Sequence, residues 1–248
     1  MGLKDFFSQY REKQDKRKYD KLVRRLCQKF AQSYERYAAA DELGNMEGED
    51  AIFGLLQRFG FQSPQIIEDE EEKRHVYHLV LERGEEAVPA ILRYIREKES
   101  LVYPLRLLRE IAGDEACRAH IMNSLKDFAP EYNRAPEKKT DLIAALGEYS
   151  GPGIVDALLP FLADPNDDVV VGSLDILSRH VEEEERVRDA FLALLTADEE
   201  KPRVQRRVLE LLKDLKWKVT GFRKKVEEKL PPDFYIDKKG FIKRLGES

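Results

Sequence analysis

Cysteine is scarce in this chain of 248 residues: Cys27 and Cys117 are the only two, far apart in sequence. A disulfide framework is therefore not expected, and a reducing compartment, the cytoplasm, is the expected location. Long apolar runs are missing too. The longest nearly apolar stretch, Ile154 to Ala163, is ten residues and contains Asp156, whereas a membrane-spanning helix needs about 20. The N-terminus is soon densely charged and lacks the apolar core of a secretory signal. No glycine-rich phosphate loop and no serine-centred nucleophile elbow is found. These absences argue against a disulfide-built secreted domain, a transmembrane protein, a P-loop nucleotide hydrolase and a serine hydrolase.

Charge, by contrast, is plentiful. Asp, Glu, Lys and Arg make up 37 % of the chain and the mean hydropathy is −0.57, which suits an object with much surface per residue. Hydrophobic residues at 42 % still supply a core, so disorder is not expected. Residues 1–37 hold eleven Lys and Arg against five Asp and Glu, a net of +6, which leaves −11 on the rest of a chain whose formal charge is −5. A basic N-terminal arm thus precedes an acidic body.

The body carries a repeat of about 33 residues. Ala51-Ile52, Leu55-Leu56 and Phe59 open it. Ala87-Val88, Ile91-Leu92 and Ile95 follow, then Ile121-Met122, Leu125 and Ala129. Ile154-Val155, Leu158-Leu159 and Leu162 come next, and Val187, Phe191-Leu192 and Leu195 close the series. This spacing puts each set on one face of a helix, here called an A helix. A second pattern lies between these sets and defines the B helices. Its members are Glu72, Val76, Leu79 and Val80; Pro104, Leu108, Ile111 and Ala112; Lys138, Leu142, Ala145 and Leu146; Val169, Ser173, Ile176 and Leu177; and Val204, Val208, Leu211 and Leu212. An earlier B helix runs through Glu35-Arg36, Ala39 and Leu43-Gly44, so the repeat begins near residue 31. Helix pairs at such a period predict an all-α fold, an α-solenoid.

Local punctuation agrees. Asp164-Pro165-Asn166-Asp167 offers Asp164 as an N-cap with proline at N1, and Ser100 and Asp114 are further N-cap candidates. Pro89 and Pro160, inside or near the start of A helices, predict kinks. The ends depart from the repeat. Residues 1–30 read as a basic amphipathic helix, a cap or an arm, with Leu3, Phe6, Phe7 and Tyr10 and then Leu22, Val23, Leu26 and Phe30. Residues 231–248 follow Pro231-Pro232 as a tail whose Phe234-Tyr235-Ile236 and Phe241-Ile242-Lys243 predict a β-hairpin around Asp237 to Gly240.

The B-helix pattern, the Asp164-Pro165 turn before Val169 and the stretch from Leu146-Gly147 to Pro165 resemble HEAT repeats, over roughly residues 31–230. The short period is similar to the HEAT-like repeats of the phycobilisome-lyase type. The Glu70 to Lys73 run and the Tyr235 to Gly240 segment resemble an uncharacterised group of bacterial HEAT-repeat proteins. The resemblance implies a right-handed superhelix of about five to six helix pairs whose B helices line the concave side. It places Tyr103, Arg106, Arg109, Lys139, Arg206 and Arg207 on or near that surface, as protein-contact residues. HEAT repeats often carry arginine early in the B helix. Arg36 keeps it, but Val170 and Gln205 do not, so the ladder of Asp–Arg contacts is expected to be partly absent. The signatures of tetratricopeptide and ankyrin repeats are missing.

Three sets of residues invite chemistry and have plainer explanations. Glu71, His75 and His78 share one helical face, but no second helix offers a Cys/His cluster, so no metal is expected. Cys117 and His120 lack an orienting group, so no nucleophile is expected. Trp217 reads as an anchor for the final helix. The acidic body argues against a HEAT-like DNA-binding or repair protein, since duplex binding needs several phosphate contacts, and no specific nucleic-acid partner is expected. The acidic runs Glu68 to Glu72 and Glu182 to Glu185 read as charge at helix N-termini. A weak contact of residues 1–30 with an anionic surface remains an option. The function expected is a non-catalytic protein–protein interaction scaffold, with no cofactor, that binds a protein or peptide on its concave surface. A bilin-lyase-type chromophore attachment factor is the alternative.

Overall fold

The computed structural model describes residues 3–128, 136–199 and 201–246. The fold is all-α apart from one small antiparallel hairpin. Among the described residues, no helix is long and apolar enough to cross a membrane. The chain divides into two compact units, Met1–His120 and Ile121–Ser248.

The first unit contains α1 (Leu3–Leu26), α2 (Ser33–Gly44), α3 (Glu49–Leu56), α4 (Ile66–Leu81), α5 (Val88–Glu97) and most of α6 (Val102–Lys126). Short 3-10 turns at Gln57–Gly60 and Gly84–Ala87 follow α3 and precede α5. The A helices α3 and α5 pack on each other, and so do the B helices α2 and α4. Their stripes form the core: Ala51, Ile52, Leu55, Leu56 and Phe59 are buried, as are Val76, Val80, Ile91 and Ile95. Pro89 falls in the first turn of α5, where its missing N–H breaks no bond, so the expected kink does not form there. Gly113, at φ 83° and ψ 168°, interrupts α6 and ends the B helix at the predicted place; the A helix containing Ile121 follows directly. Ala129, predicted to belong to that helix, lies outside the described residues.

The N-terminal helix ends at Leu26, not at residue 30, and packs on α2 and α3. A Cβ at Gly54 of α3 would lie 2.9 Å from Tyr19 Cε2 and 3.0 Å from Val23 Cγ2. Glycine at that position lets α1 approach closely, and Leu22 and Leu26 are buried as a result. The side chains of Leu3, Phe6, Phe7 and Tyr10 lie outside those described.

The second unit contains α7 (Glu137–Leu146), α8 (Ile154–Leu158), α9 (Asp167–Leu177), α10 (Glu184–Leu195), α11 (Pro202–Asp214) and α12 (Arg223–Lys229). The B helices run α7 to α9 to α11 in contact order. On the other side, α10 packs on the 3-10 segment Leu159–Ala163 and on α12. Pro160 does more than bend its helix: α8 stops at Leu158 and the chain continues as 3-10. The cap of α9 is also displaced from its expected place. Asn166, not Asp164, caps it, its Oδ1 accepting from Asp168 N at 2.8 Å and Val169 N at 3.3 Å.

After α11, Lys216 takes φ 55°, and Trp217 N donates to Leu212 O at 3.0 Å in a Schellman closure. That turn buries Trp217 beside Phe191, with ring centroids 5.9 Å apart. The hairpin is as predicted: β1 (Phe234–Ile236) pairs antiparallel with β2 (Ile242–Arg244), Tyr235 opposite Lys243. Asp237 shapes its turn by accepting from Lys239 N at 2.8 Å and Phe241 N at 3.0 Å.

Candidate functional site

The predicted contact residues fall into both units. In the first, Tyr103 and Arg106 stand on α6 over a small aromatic cluster. Tyr103 stacks on Phe59 at 4.7 Å and meets Tyr77 edge-on at 6.2 Å, while Arg106 lies 5.5 Å over the Tyr77 ring. The Tyr103 hydroxyl donates to Glu70 Oε2 at 2.7 Å. Burial and that bond push the phenol up to about 12, so Tyr103 stays protonated at neutral pH. Arg106 is mostly exposed and pairs with Glu110 at 3.5 Å; Arg109 pairs with Asp114 at 2.6 Å. In the second unit, Arg206 reaches Asp233 at 3.0 Å, tying α11 to the hairpin region, and Arg207 reaches Asp175 of α9 at 2.6 Å.

Lys139 is not on the surface. It is buried, and its Nζ donates to Asp164 Oδ2 at 2.5 Å with both side chains sealed from solvent. The same pairing explains why Asp164 does not cap α9, since one oxygen holds Lys139 and the other accepts from Asn166 N at 2.9 Å.

Equivalent buried cations recur in α2 and α4. Arg36 grips Glu72 by Nε at 2.7 Å and Nη2 at 2.8 Å. Arg58, fully buried after α3, donates to Glu72 at 3.0 Å and to Asp69 at 2.6 Å. Lys73 completes the cluster on Asp69 at 2.6 Å. The run Glu68 to Glu72 is therefore more than charge at a helix terminus, because two of its members are interior ligands for three cations. Burial raises both carboxyls, but hydrogen bonds outweigh it: from Arg36, Ser33 and Arg58 for Glu72, and from Lys73, Arg58 and Ser63 N for Asp69. Both are held below the usual carboxylate range. This network ties α2, α4 and the turn after α3 together, with Asp69 Oδ2 held by the Lys73 ion pair alone.

The groups that invited chemistry are engaged elsewhere. His75 Nε2 lies 2.6 Å from Asp41 Oδ1, and His78 sits edge-on to Tyr77. Among the described residues, no group of three or more His, Cys, Asp or Glu could hold a metal. Cys117 is fully buried, with Sγ 3.7 Å from Leu105 O.

The sequence reading missed a groove on the B-helix side of the second unit. It lies between α7 and α9 and encloses about 570 Å³. Ile143 and Ala144 of α7 and Gly147 just after it face Gly172 and Ile176 of α9 along its floor, and Glu137, Glu148, Asp168, Asp175 and Arg179 stand around it. Two glycines line it, under different constraints. A Cβ at Gly147 would come within 2.9 Å of Ile176 Cγ1, so packing requires glycine there. A Cβ at Gly172 would meet only Ile143 Cγ2 at 3.7 Å, an ordinary contact. Gly172 in mid-helix was the one signal that could have revealed the groove, since nothing local calls for glycine in α9.

The chain matches none of the protein-family models against which it was compared, and no curated protein matches it.

Proposed function

We propose that this protein is a non-catalytic scaffold of HEAT-like helix pairs that holds a segment of another protein on its B-helix surface. The groove between α7 and α9 carries this reading. It is large enough for several side chains, apolar along its floor and polar around its edge, as peptide-binding grooves between helices are. The pairwise contacts of A helix with A helix and B helix with B helix in each unit support the repeat. The buried Lys139–Asp164 and Arg36–Glu72 pairs support the HEAT likeness, with lysine taking the place of arginine at Lys139.

Affinity capture from the native cell with mass spectrometry, run beside the Gly172→Leu variant, tests the reading. A stoichiometric partner protein held by the parent chain and lost by the variant is the expected result, with helix content by circular dichroism unchanged. A partner retained equally by both refutes the groove. Bilin transfer in a reconstituted reaction refutes the non-catalytic reading.

A further inference from the structure

The charge around the groove defines its ligand more closely. Two of its acids already have partners: Asp168 pairs with Arg203 at 2.6 Å and Asp175 with Arg207 at 2.6 Å. On the α7 side the balance is different. Glu137 lines the groove and Asp141 follows it by one helical turn, an i,i+4 pair of like charges. Among the described residues, neither makes an ion pair, although ion pairs are dense elsewhere on both units. Partial burial and the charge of Glu137 push the Asp141 carboxyl above its usual range. The single basic side chain on the lining, Arg179, is turned to the Gly147 carbonyl at 3.3 Å.

Gly172 supplies an independent observation. Glycine inside a helix costs stability through backbone entropy, and a Cβ at this position would make only an ordinary contact, with Ile143 at 3.7 Å. Without a side chain, Gly172 leaves the groove lining beside Ile143 uncovered. A floor kept low against the stability of α9, beside an uncompensated pair of carboxylates, is the arrangement of a site whose occupant brings positive charge.

Resting on the scaffold reading above, we infer that the α7–α9 groove binds a lysine- or arginine-bearing segment of a partner protein, with a small or apolar side chain on the floor between Ala144 and Gly172 and a cationic head at Glu137 and Asp141. The cation satisfies the two carboxylates and relieves their mutual repulsion. The apolar floor excludes water from the stem of the same side chain.

The test uses the full chain and two labelled 12-residue peptides of equal length and apolar content, one carrying four Lys/Arg and the other four Glu. Binding is read by fluorescence anisotropy and mapped by amide chemical shifts. The cationic peptide should bind and the anionic one should not. Shifts should centre on Ala144, Gly147 and Gly172, and affinity should fall at least tenfold between 50 and 300 mM salt, order-of-magnitude values for a multi-charge contact. Glu137→Gln/Asp141→Asn should weaken binding about tenfold with unchanged helix content, and Gly172→Leu should abolish it. Equal binding of both peptides overturns the inference, as do shifts centred on the acidic run at Glu182 to Glu185 and full affinity in the neutralised double variant. If the cationic peptide does not bind while the cellular partner still depends on Gly172, the charge assignment fails and the scaffold reading stands.

Discussion

Glu72 is the residue whose loss should be felt most in the first unit. Its two oxygens accept from Arg36 Nε and Nη2 at 2.7 and 2.8 Å, from Arg58 Nε and Nη2 at 3.2 and 3.0 Å, and from Ser33 Oγ at 2.7 Å. The buried cluster of Arg36, Arg58, Lys73, Asp69 and Glu72 carries three positive and two negative charges. Glu72→Gln keeps the size and one carbonyl acceptor but leaves Arg36 without its carboxylate and Arg58 with Asp69 alone. Removing one partner of a buried pair costs about 3–5 kcal/mol, and the retained carbonyl places this variant near 3 kcal/mol. In urea that is a fall in midpoint of about 1.5 M, taking a slope near 2 kcal/mol per molar. Far-UV circular dichroism follows both units, whereas the fluorescence of Trp217, the single tryptophan, follows the second. The circular-dichroism transition should therefore move more than the fluorescence transition. The difference between parent and variant also depends on pH. Glu72 and Asp69 are held below their usual values in the folded chain, so their stabilisation is complete above the unfolded-state range near 4 and is lost as pH falls through the folded values. Parent and Glu72→Gln should converge in acid. A loss under about 1 kcal/mol at neutral pH, or a constant difference down to acid pH, would refute the account of this cluster.

Leu158, fully buried at the end of α8, should cost about 2–5 kcal/mol on truncation to alanine; a loss below about 0.5 kcal/mol, by the same urea titration, contradicts the stripe assignment. Gly172→Ala should raise stability by about 0.5–1 kcal/mol, because the added Cβ meets only Ile143 at 3.7 Å. A destabilised alanine variant would mean that the glycine serves packing and not the groove. Burial pushes the Cys27 thiol up to about 11, so its alkylation at pH 8 should be far slower than that of a free thiol and should accelerate in urea. Rapid labelling of the folded chain would contradict that environment.

Most of the core was legible because it is periodic. The positions at 0, 1, 4, 5 and 8 of the first A helix are all buried, and so are Val204, Val208, Leu211 and Leu212 of the last B helix. Local chemistry also located the hairpin and the break near Gly113. Errors arose where a distant residue claimed a locally suitable one. Asp164 has the sequence neighbours of an N-cap, yet Lys139, 25 residues away, draws its carboxylate inward and leaves the cap to Asn166. Asp69 and Glu72 look like solvated acids at a helix start until Arg36 and Arg58 are brought against them.

The same competition explains why Lys139 lies in the interior, against expectation, while Arg206 and Arg207 reach partly exposed acids. In each of α2, α4 and α7, the cation one place after the start of the apolar pattern turns inward to an acid: Arg36 to Glu72, Lys73 to Asp69, and Lys139 to Asp164. In α9 and α11 that place holds the buried Val170 and the half-buried Gln205, neither of them charged. Arg206 and Arg207 stand one and two places further on, where the helix turns its side chains from the core toward Asp233 and Asp175. Register along the B helix, not residue type, decides whether a cation serves the interior or the surface. A basic residue introduced at position 170, where the native valine is fully buried, would carry its charge into the core and should lower the urea midpoint of the second unit.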